Sequence, residues 1–344
     1  MGVKIKGKYS SSYENKEKDY IRMRNKAKLT NKIYRKIHRY VFKKFNWSRK
    51  LRNFYSSYRH REKKPIEGAN RRTVYITQIP NEGAGIGHQI ANFNGGYHYS
   101  LLFDIPFAYP GFSDKAWDDF LGFGENEISV GELKKQSYKI KKIPYFKEIE
   151  EDLAMVNRII DSYAGKKVIL SVELDQFYKK QYDVIPYIKR KFETAEARKN
   201  DKVLYDEDEL NIALHIRRGD IVVDKEKGQE TLTKRWLTLD YYENVIKSLK
   251  KRYNKEFTIY IFSQGKKEEY SIFEKYGKVI YCLDMNDKQS FLHMVRADIL
   301  VISKSSFSYK PALLADGIRV CPPDFWHDYP VDENWIVASK DGIF

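Results

Sequence analysis

The 344-residue chain holds 42% hydrophobic and 15% aromatic residues, only two cysteines, and a net charge of +16. Cys282 and Cys321 cannot build a disulfide framework, and no apolar run approaches the ~18 residues of a membrane span, so disulfide-scaffold and membrane-spanning classes are excluded and a reducing cytoplasm is expected. The charge is segregated: residues 1–72 carry 24 Lys and Arg against 5 Asp and Glu, whereas the remainder carries 39 against 42.

The chain therefore divides into a basic extension over 1–72, an α/β unit over 73–200 and a second α/β unit over 201–344. The Pro/Gly-containing stretch Lys64-Pro65-Ile66-Glu67-Gly68 reads as the linker behind the extension. Residues 1–30 are polar and poor in aliphatics. No basic start followed by an apolar core is present, so no secretory leader is expected. Over 31–58, Ile33, Ile37, Val41 and Phe45 recur every fourth position, with Lys and Arg filling most of the others. That spacing predicts a basic amphipathic helix. Such a helix either lies on an anionic membrane surface or docks its apolar face on the body. Nucleic-acid binding ranks behind both, because no nucleic-acid fold signature accompanies the charge.

The body opens with a predicted strand at 73–77 that runs into Pro80-Asn81-Glu82-Gly83-Ala84-Gly85-Ile86-Gly87-His88-Gln89. Glycines at 83, 85 and 87 before a helix allow backbone N–H groups to approach an anion closely, or simply permit a tight turn. No acidic residue follows at dinucleotide-binding spacing. Further strands are predicted at 103–109 and 167–172, and helices at 146–163 and 178–198. Trp117, Phe120, Phe123 and Tyr145 read as packing residues rather than sugar platforms.

From residue 210 the alternation becomes regular. Strands are predicted at 210–215, 257–262, 279–283 and 299–303, with helices at 239–253, 267–276, 288–296 and 307–314. This pattern argues for a parallel sheet covered on both faces. The first strand, Leu210–His215, leads through Ile216 into Arg217-Arg218-Gly219-Asp220. Ligands in open α/β sheets bind at the carboxyl ends of strands, so both arginines should emerge where a substrate sits. Adjacent guanidiniums suit a diphosphate, because each fork makes paired charge-assisted hydrogen bonds. A solvated Arg-Arg turn is the plainer alternative. Past the strand at 299–303, Ser305, Ser306 and Ser308 place hydroxyls at a helix start, as an N-cap or an anion contact.

The pattern H-x-R-R-x-D, met by His215, Arg217, Arg218 and Asp220, resembles the signature of the fucosyltransferase superfamily, which includes the α1,2-, core α1,6- and protein O-fucosyltransferases. The Gly-rich loop is similar to the G-x-G-N-Q loop of that superfamily, with His88 where α1,2-type members usually have Asn. Ile261-Phe262-Ser263, the segment Met294–Ser308 and Pro322-Pro323-Asp324-Phe325-Trp326 are similar to further family segments, so the resemblance spans residues 73–329. Ser290 stands where relatives commonly carry Asp, and Asp284 or Asp287 could supply that carboxylate. The resemblance implies a GT-B architecture, two Rossmann-like domains facing a cleft. It also implies inverting transfer of fucose from GDP-fucose to a glycan hydroxyl, with GDP-fucose as donor substrate, no cofactor and no metal. Gly85, Gly87, His88, His215, Arg217, Arg218, Ser305, Ser306 and Ser308 would then bind the donor. Arg217 and Arg218 would neutralise the leaving diphosphate. Asp220 is expected to orient an arginine. Asp224, Glu226 and Glu230 are candidate bases, with Glu226 taken as the catalytic carboxylate.

Other chemistries lack their motifs. No H-E-x-x-H, C-x-x-C or G-x-S-x-G occurs. The expected partners are a nucleotide-sugar donor, a glycan acceptor and, through the extension, the inner face of an anionic membrane.

Overall fold

The computed structural model describes residues 68–80, 83–144, 146–172, 181–219, 235–283 and 285–344. The amphipathic helix expected over 31–58 lies outside the described residues, as do Asp220, Asp224, Glu226, Glu230 and Asp284.

The first half contains β1 (Val74–Thr77), α1 (Ile86–Phe103), α2 (Lys115–Leu121), α3 (Val130–Lys135), β2 (Lys139–Lys142), α4 (Glu150–Ser162), β3 (Val168–Ser171) and α5 (Ile185–Thr194). Its three strands pair in parallel in the order β1-β3-β2. The four residues of β3 are all buried, as expected of a central strand covered on both faces. Edge strand β2 is Lys-Ile-Lys-Lys, with Ile140 turned to the core and lysines on its exposed positions. Exposed lysines discourage edge-to-edge pairing, and they also mask the strand in the sequence.

The second half contains β4 (Leu210–His215), α6 (Leu239–Tyr253), β5 (Phe257–Phe262), β6 (Lys278–Tyr281), α7 (Asp287–Arg296), β7 (Ile299–Val301), α8 (Ser306–Leu314), β8 (Ile318–Cys321) and β9 (Trp335–Val337). Its six parallel strands run in the order β6-β5-β4-β7-β8-β9. Counted from β4, this is the 3-2-1-4-5-6 order of the Rossmann fold, whose topological switch falls between β4 and β7. The protein is therefore an α/β protein with two parallel, Rossmann-like units facing a cleft.

Several predicted elements differ in the structure. Residues 103–109 are not a strand. Phe103 ends α1, Asp104 turns left-handed at φ 49°, and the stretch that follows makes only isolated bridges, Ile76 to Phe107 and Tyr109 to Ser129. The helix expected over 178–198 is confined to α5. Pro186 sits in its first turn, where a missing N–H is harmless, and Ala195 is extended. Residues 267–276 form a 3-10 helix rather than an α-helix. A three-residue repeat turns Tyr270 and Phe273 into the core, with Tyr276 packed beside them.

The largest core is shared by both halves. Ile90, Phe93 and Phe123 belong to the same cluster as Phe262, Phe291 and Tyr309. Helix α5 contributes Phe192, whose ring lies 6.3 Å from that of Phe291 on α7. Trp117 and Phe123 are buried in this core and Phe120 packs against it, while Tyr145 lies outside the described residues. No helix of the described residues is long and apolar enough to cross a membrane.

Candidate active site in the cleft

A cavity of about 810 Å³ opens at the carboxyl ends of the second sheet, within the size range of small-molecule sites. One wall is the Gly-rich loop and the first turn of α1, from Gly83 to His88. The opposite wall is the stretch after β4, with His215, Arg217, Arg218 and Gly219, joined by Ser306 and Phe307 at the start of α8. Phe262, Ser263 and Gln264 at the end of β5, with Met285, Asp287 and Ser290 around the start of α7, form one end. Arg235 and Trp326 also line it.

Gly83 turns with φ +72°, and a Cβ on Gly83 or Gly85 would meet nothing within 4 Å, so this part of the loop is open to an approaching ligand. Gly87 is different. A Cβ there would come within 2.7 Å of the Ser306 carbonyl carbon and 2.8 Å of its oxygen. Its glycine is required because the N-termini of α1 and α8 touch at that point. Gln89, buried, clamps the loop: its Nε2 donates to the Ala84 carbonyl and Ser113 Oγ, both at 2.7 Å, and its Oε1 accepts from Ser113 N at 2.8 Å. Gly85, the N-cap of α1, supplies no side-chain cap, so the helix's first donors are not covered that way.

His215 is buried, with Nδ1 2.7 Å from Ser303 Oγ. Burial, reinforced by the charge of Arg217, lowers its pKa to about 3, so the imidazole is neutral at physiological pH. Half-buried Arg217 donates from Nη1 to Ser305 Oγ at 2.8 Å. That hydroxyl also caps α8 by accepting from Phe307 N at 3.2 Å. The cap thus fixes the rotamer of a cavity-lining guanidinium.

The structure separates residues that the sequence grouped together. Arg218 is 6% exposed; its Nη1 donates to the Arg217 carbonyl at 2.9 Å and the Leu237 carbonyl at 3.3 Å, and its guanidinium lies 3.9 Å over the Trp236 ring. Of the three serines, Ser306 lines the cavity. Ser305 and Ser308 are fully buried, and Ser308 Oγ accepts from Ser303 N at 3.3 Å and bonds within the β7–α8 turn. Asp298 Oδ2 accepts from Asn211 N at 2.8 Å, tying the end of α7 to the start of β4.

The sequence does not single out Arg235, because it lies 15 positions beyond Asp220 and belongs to no recognisable pattern. Its guanidinium sits 4.7 Å over Trp326, itself 42% exposed at the cavity. Asp287 lines the cavity and accepts from Lys288 N at 2.9 Å. Among the described residues, no group of three or more His, Cys, Asp or Glu side chains could hold a metal ion. The wall thus offers arginines, helix starts and the apolar side chains of Phe262, Met285 and Phe307, a combination suited to an anionic molecule with an apolar part.

No protein-family profile and no curated protein sequence matches the chain. Among solved structures, it is similar to POFUT1 in complex with GDP at 13% identity and a TM-score of 0.42, over 72% of this chain and 96% of that one. It is similar to POFUT1 in complex with GDP-fucose at 12% identity and a TM-score of 0.42, over 79% and 99%. The E. coli heptosyltransferase WaaC with ADP gives 12% identity and a TM-score of 0.36, over 77% and 90%. Likenesses this distant carry no chemistry across, and the strand order and the cavity stand on their own.

Proposed function

We propose that this chain is a glycosyltransferase that moves fucose from GDP-fucose to a hydroxyl of a glycan acceptor with inversion. The observation that carries the reading is convergence. Four stretches distant in sequence, the Gly-rich loop, the segment after β4, the start of α7 and the start of α8, meet in one cavity at the Rossmann switch point. In the reaction, the acceptor oxygen attacks the anomeric carbon as the bond to the diphosphate oxygen breaks. Negative charge grows on the leaving diphosphate, and Arg217, held by Ser305, faces the cavity where that charge would appear. Neutral His215 offers a hydrogen bond without adding a further cation. A carboxylate must take the acceptor proton; Glu226 is the proposed base and Asp220 the proposed partner of an arginine.

Arginines supply the positive charge, so no metal is required in this scheme. The test is release of GDP from GDP-fucose with a panel of glycan acceptors, with and without EDTA. Acceptor-dependent GDP release that persists in EDTA is expected. Absence of release with every acceptor would defeat the reading. The presence of Ser290 at the cavity end, where an Asp is common in the superfamily, gives reason to run UDP- and ADP-sugars alongside. Turnover of one of these instead would assign a transferase using another nucleotide sugar.

A further inference from the structure

We propose that Arg235 is the second guanidinium that grips the donor's diphosphate, opposite Arg217, and that Arg218 positions it. This inference rests on the nucleotide-sugar reading of the cavity. The adjacent pair Arg217-Arg218 invites the assumption that both forks reach the ligand, but the geometry separates them. Arg218 donates from Nη1 to two backbone carbonyls, lies against the Trp236 ring and is 6% exposed, so its Nη1 already serves the protein and little of the side chain reaches the cavity. The two carbonyls belong to Arg217 and Leu237, and the ring to Trp236. Arg218 therefore fastens the segment carrying Arg235 to the strand end carrying Arg217.

Three contacts then place Arg235. On its C-terminal side, Thr238 caps α6 by accepting from Tyr241 N at 3.3 Å, which fixes the chain direction. Trp236 next to it is held on Arg218. The Arg235 guanidinium lies over Trp326 at 4.7 Å. Stacking occupies the face of a guanidinium and leaves its N–H edge able to meet phosphate oxygens. The cavity wall carries Arg217, Arg218 and Arg235 against one carboxylate among its described residues, Asp287. A diphosphate diester carries two negative charges, and Arg217 and Arg235, both half-buried at the cavity wall, are the two guanidiniums assigned to them.

The experiment is calorimetric titration of the full-length protein with GDP, UDP and ADP and with guanosine, uridine and adenosine, repeated on Arg235→Ala, Arg235→Lys and Trp326→Leu. For the nucleoside diphosphate that binds the wild type, Arg235→Ala is expected to raise Kd about 10- to 100-fold, as for loss of a charge-assisted contact. Affinity for the matching nucleoside, which has no phosphate, should stay within about 3-fold of wild type. Arg235→Lys should recover part of the loss, and Trp326→Leu should weaken the diphosphate alone. If Arg235→Ala leaves the diphosphate Kd unchanged, or weakens nucleoside and diphosphate equally, the assignment of Arg235 is overturned while the nucleotide reading stands. If the diphosphate that binds is UDP or ADP, the GDP donor is wrong and Arg235 keeps its role. If the wild type binds none of the three, both fall.

Discussion

Arg217 reaches the cavity from the end of β4 with its Nη1 fixed by the hydroxyl that caps α8. Removing it should remove transition-state charge stabilisation without unfolding the protein. Arg217→Ala is expected to lower turnover of GDP-fucose about 30- to 1000-fold, equivalent to roughly 2–4 kcal/mol. Arg217→Lys should recover little, because an ammonium cannot reproduce the planar fork. Near-normal turnover in a variant with wild-type circular dichroism would exclude the role. The histidines make a second prediction. Burial is the main cause lowering the pKa of His215 to about 3, of His327 to about 2, and of His293 below its ordinary value. Folding stability from such groups is fully present above the unfolded value of roughly 6.5 and is lost as pH falls towards the folded values. Thermal midpoints should fall steadily from pH 6.5 to pH 4. His215→Gln should flatten part of that slope, and an unchanged slope would count against the buried neutral imidazole. At this scale the sequence was partly legible. His215, Arg217 and Ser306 all line the cavity. The burial of Arg218 was not readable, because adjacent arginines look alike until Leu237 and Trp236 are brought beside one of them.

The start of α1 and the start of α8 press against each other at Gly87 and Ser306. Gly87→Ala would force a methyl into backbone atoms that cannot rotate away. It is expected to destabilise the protein by about 1–3 kcal/mol, the usual penalty of overpacking. Donor affinity should fall as well, because the shift separates the two walls. Urea denaturation together with nucleotide titration would check both. Gly85→Ala, which has room, should keep stability; if both variants behave alike, the close approach is not what Gly87 provides. Strands and helices were legible wherever periodicity and apolar runs agreed, as in β4, β5 and α6. They were lost where local chemistry ran the other way. Lysines at the exposed edge hid β2. β8 and β9 are short, and β9 follows a long stretch without helix or strand over 322–334. Residues 103–109 look apolar enough for a strand, yet their pairing is limited to single bridges at Phe107 and Tyr109, after the turn at Asp104.

Residues 1–72 and the body differ in net charge by sign: +19 for the extension and −3 for the rest. We propose that the extension holds the protein at an anionic membrane surface, each basic residue near it contributing about 1 kcal/mol. Deleting residues 1–64 should abolish co-sedimentation with anionic vesicles while turnover on a soluble acceptor stays within a few-fold. An insoluble or inactive truncation would instead show that the apolar positions of 31–58 belong to the body. Within the body, the shared core predicts a single cooperative unfolding event. Calorimetry should give one transition, and the isolated stretch 201–344 should fail to fold, since it would expose Phe291 and Tyr309 without Phe192 and Phe93. Two separate transitions would contradict this. The division into two parallel units could be read from the alternation of elements. Their fusion through one core could not, since periodicity reports which face of an element is apolar and not which partner covers it.

That fusion sets the terms on which the molecule can be recombined. Chimeras of proteins with two α/β units are naturally imagined as one half spliced to another at the boundary near residue 200. Here such a cut would leave Phe192 on one parent and Phe291 on the other, their rings 6.3 Å apart in the intact protein. It would also divide the Gly87–Ser306 contact, where no larger side chain fits. A productive exchange must move α1, α2 and α5 together with the second sheet. The portable module in this protein is discontinuous in sequence: the second sheet travels with three helices that precede it in the chain.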